Sequence, residues 1–303
     1  MLVLLGAASG AQAPFLDLLS LVALPAAVMS IGSAAMLAAR TARASHCALL
    51  LVAAVPGLMV LLPETRGTAH CSPSGERLRV AWLNVQRTDR SSAIMAWIER
   101  ENPQVVGVGE LDKNATHLRA RLAARYRDRA SCLANGRCST VLYSRIAPVE
   151  SRALARGDAE NRRALSAVRM RLGYGDKGVN FPIVAVHLSR PFPLGRQRQE
   201  LRDLGPFLLQ SPDAIVIGDF NMSPRMSALR QFASQNGLRI NAAGGPTWPV
   251  FGAWAGLWQI DHVLTGSDWA VTALRRSPDL GSDHRGLVAD LCRVESAGEH
   301  RSR

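Results

Sequence analysis

The sequence predicts an α/β fold, two packed sheets with helices outside, preceded by an N-terminal membrane-spanning hairpin. Three observations predict it. Short apolar runs alternate with amphipathic helical patterns across residues 78–293, and many strands with helices at intervals make layered sheets. Residues 1–66 contain two long uncharged stretches. Charge is unevenly divided: the first 66 residues carry only Arg40, Arg43 and Arg66 against Asp17 and Glu64. A net of +11 out of the chain's +12 therefore belongs to the remainder.

The 303 residues suffice for one large domain, roughly 200–250 residues, plus extra segments. Leu18–Ala39 runs 22 residues without a charge. At about 1.5 Å rise per residue it covers the ~30 Å hydrocarbon core of a bilayer. Cys47–Pro63 is a second, 17-residue run, and the segment between them is too short for anything but a turn. Neither run has a polar face, as a soluble surface helix would. Residues 1–66 are expected to be an anchor of two transmembrane helices, about 18–39 and 47–63. Arg40 and Arg43 place the turn on the cytoplasmic side of the inner (plasma) membrane. The chain beyond Pro63 is then periplasmic, and membrane lipid is an expected partner through the hairpin. A cleaved signal peptide fits less well, since no basic segment precedes the apolar one and two apolar runs follow.

A polar linker covers 67–77. Leu78–Asn84 reads as a strand and Ser91–Glu101 as an amphipathic helix with Ile94, Trp97 and Ile98 on one face. Gln104–Gly109 is a buried strand and Asn114–Tyr126 a second helix. Strands are expected at Ser139–Ser144, Val149–Ala153, Leu165–Leu172 and Pro182–Leu188. Arg196–Leu209 reads as a helix, Ala214–Gly218 as a strand, and Met226–Asn236 as a helix stopped by Gly237. Trp258–Leu264, Trp269–Arg275 and Gly286–Cys292 complete the strands. Residues 294–303 form a polar tail.

The basic balance suits a polyanionic substrate or an anionic surface. Almost all of it is arginine, with only Lys113 and Lys177, so compositional bias is the competing explanation. Five cysteines occur, with no CxxC pair and no zinc-like cluster. Cys132 and Cys138 flank a turn-rich loop, and a disulfide between them or two free thiols both fit.

Polar residues gather at strand ends. Asn84 ends the first strand and Glu110 follows the second. His187 ends the Pro182–Leu188 run, and Asp219 and Asn221 sit in Gly-Asp-Phe-Asn. Asp261 lies in Ile-Asp-His-Val, and Asp283 and His284 in Gly-Ser-Asp-His-Arg. A strand gives rigidity and its end gives access, as a catalytic site requires. Singly these signals are ordinary. Together the order Asn, Glu, His, Asp-x-Asn, Asp, Asp-His resembles the endonuclease/exonuclease/phosphatase superfamily, from about Arg79 to Cys292.

The resemblance implies a four-layer α/β/β/α sandwich of two mixed sheets over 78–293. It implies a Mg²⁺-dependent hydrolase (Mn²⁺ as the substitute) acting on a phosphate ester; nucleic acid, a lipid head group and a soluble phosphate ester all stay open as the substrate. Asn84, Glu110 and Asp283 match the positions around the metal. Asp219 and Asn221 match the pair that orients water and phosphate, His187 a phosphate donor, and Asp261 with His284 a carboxylate–imidazole pair. Whether Asp219 or His284 takes the proton stays open. The abasic-site branch carries Gln-Glu-x-Lys where this chain has Gly109-Glu110-Leu111-Asp112, which weakens a repair role. Trp248, Phe251, Trp254 and Trp258 precede Asp261. They suit loop packing, base stacking or a bilayer interface. The alternative to an enzyme is a non-catalytic module holding a polyanion or a membrane.

Overall fold

The computed structural model describes residues 17, 29, 32–33, 35–36, 39–40, 71–72, 75–86, 90–112, 115–132, 139–155, 165–174, 179–208, 211–241, 245–252 and 256–294. The chain forms two compact units, Met1–Thr68 with Arg225–Gln231, and Ala69–Pro224 with Phe232–Arg303.

In the first unit Asp17 is buried, and its carboxylate accepts the backbone N–H groups of Ser227 (2.5 Å) and Ala228 (3.0 Å). These belong to the opening turn of a helix, so a carboxylate distant in sequence satisfies donors that a local cap usually takes. Among the described residues, no helix is long and apolar enough to cross a membrane. The expected span at 47–63 lies outside the described residues. Of that at 18–39, only Met29, Gly32, Ser33, Ala35, Met36 and Ala39 are described, all helical.

The second unit holds two six-stranded mixed sheets. The first contains β1 (Arg77–Asn84), β2 (Val105–Gly109), β3 (Asp128–Ser131), β4 (Val141–Ser144), β11 (Trp269–Arg276) and β12 (Leu287–Arg293), in the order β11-β12-β1-β2-β4-β3. The second contains β5 (Pro148–Ala155), β6 (Ser166–Tyr174), β7 (Val179–His187), β8 (Ile215–Asp219), β9 (Arg239–Asn241) and β10 (Asp261–Thr265), in the order β5-β6-β7-β8-β10-β9. The pairs β1–β2 and β7–β8 are parallel and the other pairings antiparallel.

Strand alternation builds the layers. Val80 and Trp82 of β1 meet Ile183, Ala185, Ile215 and Ile217 in the core between the sheets. Their neighbours Ala81 and Leu83 face the other way. There they pack on Ile94, Trp97 and Ile98 of α1 (Ser91–Glu101) and on Leu118 and Leu122 of α2 (Thr116–Arg125). On the far side of the second sheet lies α3 (Arg196–Phe207), with Leu201 and Leu204 buried. Arg169 of β6 donates to the Phe207 carbonyl at 2.6 Å, and Glu200 accepts the backbone N–H of Ser189 at 2.9 Å. α4 (Ser227–Gln235) follows β8 in the chain.

Several expected boundaries move. The strand expected from Trp258 begins at Asp261, because Trp258 instead pairs with Trp248 in an isolated bridge. β3 and β9 were not expected. Both are short edge strands of four and three residues, too brief to show a period. Leu209, the expected end of the third helix, lies outside the described residues.

A disulfide joins Cys71 to Cys292, 221 positions apart, and ties the entry of the domain to its final strand. Cys132 is also disulfide-bonded. Cys138, for which the sequence left a bond to Cys132 or a free thiol open, lies outside the described residues.

Candidate active site

Strand registration assembles the site. In the second sheet His187 of β7 pairs with Asp219 of β8, and Asp219 pairs with Asp261 of β10. Three titratable residues therefore stand side by side at one sheet end. In the first sheet Asn84 of β1 pairs with Gly109 of β2, and Glu110 follows. Asn84 is fully buried, and its Nδ2 joins the two sets, donating to Asp219 Oδ2 at 3.1 Å and Glu110 Oε1 at 3.3 Å. His187 Nε2 stands 3.6 Å from Glu110 Oε1 and 3.7 Å from Asp219 Oδ2.

The Asp261–His284 pair is set from below. His284 Nδ1 donates to Asp261 Oδ2 at 2.8 Å, and Nε2 lies 3.8 Å from Asp219 Oδ2. The second Asp261 oxygen accepts Trp82 Nε1–H at 2.7 Å, from the opposite sheet. Room for that indole comes from β2: a Cβ on Gly109 would meet the Trp82 ring at 2.7 Å, and one on Gly107 at 2.9 Å. Thr247 Oγ1 accepts the Asp261 backbone N–H, and Ser282 Oγ donates to the Asn84 carbonyl at 2.7 Å.

Burial and neighbouring charge set the protonation states. Burial alone would depress His284, yet the carboxylates of Asp261, Asp219 and Asp283 hold it up at about 9. Burial would raise Asp261, but the facing imidazolium and its hydrogen bonds bring it below the usual carboxylate range. Asp219 lacks so close a cation. Its burial, with the nearby Asp261 charge, pushes it up to about 6.

Two site residues, Glu110 (φ 52°) and Asn221 (φ 50°), occupy the left-handed region, which costs a non-glycine residue on the order of 1 kcal/mol or more. Asn221 turns its N–H onto Asp219 Oδ1 at 2.8 Å, and its Nδ2 donates to the Leu188 carbonyl at 2.9 Å. Asp283 stands apart from Asn84 and Glu110 in the hydrogen-bond network. Its Oδ2 accepts Trp248 Nε1–H at 3.3 Å, and its buried Oδ1 has no partner. Trp248 also packs at a tilt on Trp258, with ring centroids 5.5 Å apart, and on His284, 6.4 Å away. Trp254 lies outside the described residues, and Phe251 is exposed.

Four positioning residues were not anticipated: Trp82, Thr247, Ser282 and, in its contact with Asp283, Trp248. Trp82 reads as ordinary core in a strand. Only the aromatic run before Asp261 carried a signal, for Trp248.

The family model described as Endonuclease/Exonuclease/phosphatase family matches residues 81–284, an interval that contains every one of these site residues. The chain belongs to this family. It is accordingly a hydrolase of phosphate ester bonds. A comparison with curated protein sequences gives no match. Among solved structures the chain is similar to an endonuclease/exonuclease/phosphatase family protein from Bacteroides thetaiotaomicron, with TM-score 0.60, 15% identity, and coverage of 73% of this chain and 100% of that one. It is similar to sphingomyelinase C from Streptomyces griseocarneus, with TM-score 0.56, 15% identity, and coverage of 71% and 99%. D. rerio TDP2 in complex with a single-strand DNA product gives TM-score 0.57, 16% identity, and coverage of 71% and 99%. At these identities the likeness is one of fold.

Proposed function

We infer that the protein is a membrane-anchored, Mg²⁺-dependent phosphoesterase whose catalytic domain lies outside the cytoplasm. The observation that carries the chemical part is the Asn84-centred contact between Asp219 and Glu110, with His187 and the Asp261–His284 pair around it.

The donor set fits a hard divalent cation. Glu110 and Asp283 offer carboxylates, Asn84 Oδ1 retains a lone pair beyond the one given to Gln86 N–H, and the buried Asp283 Oδ1 lacks any partner. Mg²⁺ is the favoured ion, with Mn²⁺ its substitute. Asp219, Asp261 and His284 also bring ligand atoms within 4.8 Å of one another. In that trio Asp261 Oδ2 is engaged with His284 Nδ1 at 2.8 Å and Asp261 Oδ1 with the Trp82 indole, so proton and phosphate handling suits it better. When bound, the cation supplies charge neutralisation at the phosphoryl oxygens.

The chain's own residues do the rest. Asp219 is poised to accept a hydrogen bond, and then a proton, from the attacking water. Asp261 fixes the His284 tautomer, so Nε2–H is offered to the phosphoryl group as a cationic donor. His187 adds a second donor on the other side of Asp219. The aligned groups need little reorganisation as charge builds on the phosphoryl oxygens.

The location rests on the two uncharged N-terminal runs, on Arg40 and Arg43 between them, and on disulfide bonding at Cys71, Cys292 and Cys132, which favours an oxidising compartment. Nucleic acid and lipid head groups are the substrate classes to compare. A panel of supercoiled plasmid, sphingomyelin and a phosphoinositide, each with Mg²⁺ and with chelator, chooses between them. Direct Mn²⁺ binding measured by electron paramagnetic resonance tests the metal: Glu110→Gln should weaken it by about tenfold or more. Unchanged binding would move the metal away from Glu110.

A further inference from the structure

We propose that a basic cavity beside the reaction centre is a second anion subsite, which takes a phosphoryl group of the substrate other than the one attacked. The proposal rests on the phosphoesterase reading above. The cavity has a volume of about 560 Å³, and its walls include Pro246, Thr247, Val250, Arg275, Arg276 and Arg285.

Charge accounting separates its three arginines. Arg275 is held by Asp290 at 2.6 Å and Glu101 at 3.2 Å, so its charge is neutralised. Arg276 donates to the Pro246 carbonyl at 2.8 Å, and Arg285 to the Ser277 carbonyl at 3.2 Å. Among the described residues neither has a carboxylate within ion-pair distance, and no carboxylate lines the cavity. Each guanidinium has five N–H donors and spends one on a carbonyl, which fixes its position and leaves the others for a ligand. Two uncompensated guanidiniums in a concave site are a good receptor for a phosphate dianion.

The frame is braced. Ser277 N–H donates to the Gly286 carbonyl at 2.8 Å, Gly286 N–H returns to Ser277 Oγ at 2.8 Å, and Arg285 N–H donates to the Thr247 carbonyl at 2.8 Å. The same segments form the wall of the reaction centre: Arg285 follows His284 directly, and Trp248, between Thr247 and Pro249, donates to Asp283. The subsite requires one substrate molecule carrying two phosphoryl groups to engage both chambers across that wall.

The test uses the full-length protein in detergent with Mg²⁺. The substrates are a matched pair, thymidine 5′-(p-nitrophenyl phosphate) with and without a 3′-phosphate. The proposal expects a preference of about tenfold or more in kcat/KM for the doubly phosphorylated form. It expects that preference to vanish in the Arg276→Gln/Arg285→Gln protein, with turnover of the singly phosphorylated form unchanged within about twofold. A second matched pair, glycerophosphoinositol with and without a further ring phosphate, distinguishes the sources. Arginine-dependent preference in either pair supports the subsite and names its origin. No preference in the native protein, a preference that survives the double substitution, or equal loss on both members of a pair would overturn it. If the native protein turned over none of these, the nucleotide and phosphoinositide readings of its substrate would fail instead. Calorimetric binding of inorganic pyrophosphate would then decide the subsite: a loss of about tenfold or more in the double variant upholds it, and equal binding refutes it.

Discussion

His284 is held up at about 9, against the effect of its burial, because Asp261 faces its Nδ1 at 2.8 Å and the Asp219 and Asp283 carboxylates add to that charge. Asp261 in turn is held by the Trp82 indole and the imidazolium, so the pair acts as one unit. Asp261→Asn should therefore lower kcat by about 10³-fold with a smaller change in KM, since an amide favours neither the charge nor the tautomer. A kcat within tenfold of native in that variant would contradict the assigned role. Its neighbour His262 makes a different prediction. Burial holds it down at about 4, and its Nε2 is bonded to the Met222 carbonyl at 2.7 Å. Between pH 4 and 6.5 the unfolded chain binds a proton there that the folded chain refuses. Stability should thus rise with pH through that window and be lost as pH falls through it, by up to about 3 kcal/mol. Urea midpoints measured across pH 4–6.5 should show a shallower slope in His262→Gln, and an identical slope would refute the assignment.

At the scale of elements, the site depends on two glycines of β2 as much as on its polar groups. Gly107 and Gly109 leave space for Trp82, which crosses from the first sheet to Asp261 on the second. Gly109→Ala should overpack that contact and cost about 1–3 kcal/mol, read as a lowered Tm together with reduced kcat. A native Tm would mean that the ring relaxes freely. The Cys71–Cys292 bond closes nearly the whole domain, and the paired Cys71→Ser/Cys292→Ser change should cost about 2–5 kcal/mol in denaturant unfolding. Since Cys292 lies near the end of β12 away from His284, kcat at a permissive temperature should be unaffected. Most elements were legible because apolar runs and helical periods are long. β3 and β9 were not, and Trp258 was read into a strand because an aromatic at a strand edge looks like strand. The Cys71–Cys292 partnership carries no spacing signal. The polar residues at strand ends were readable in sequence. The brackets behind them were not, because Trp82, Thr247 and Ser282 look like ordinary core and turn residues until the sheets are stacked.

At the scale of the whole molecule, the proposed function puts the hydrolase on the outer face of the inner membrane. A C-terminal alkaline phosphatase fusion should be active there, and a fluorescent cytoplasmic-type fusion at the same position would reverse the proposed topology. The most direct measurement is hydrolysis of bis-p-nitrophenyl phosphate by the full-length protein, with Mg²⁺ and with chelator, beside Asp219→Ala. Turnover should require the metal and fall by about 10³-fold or more in the variant. Turnover in Asp219→Ala equal to native, or native turnover indifferent to chelation, would contradict it.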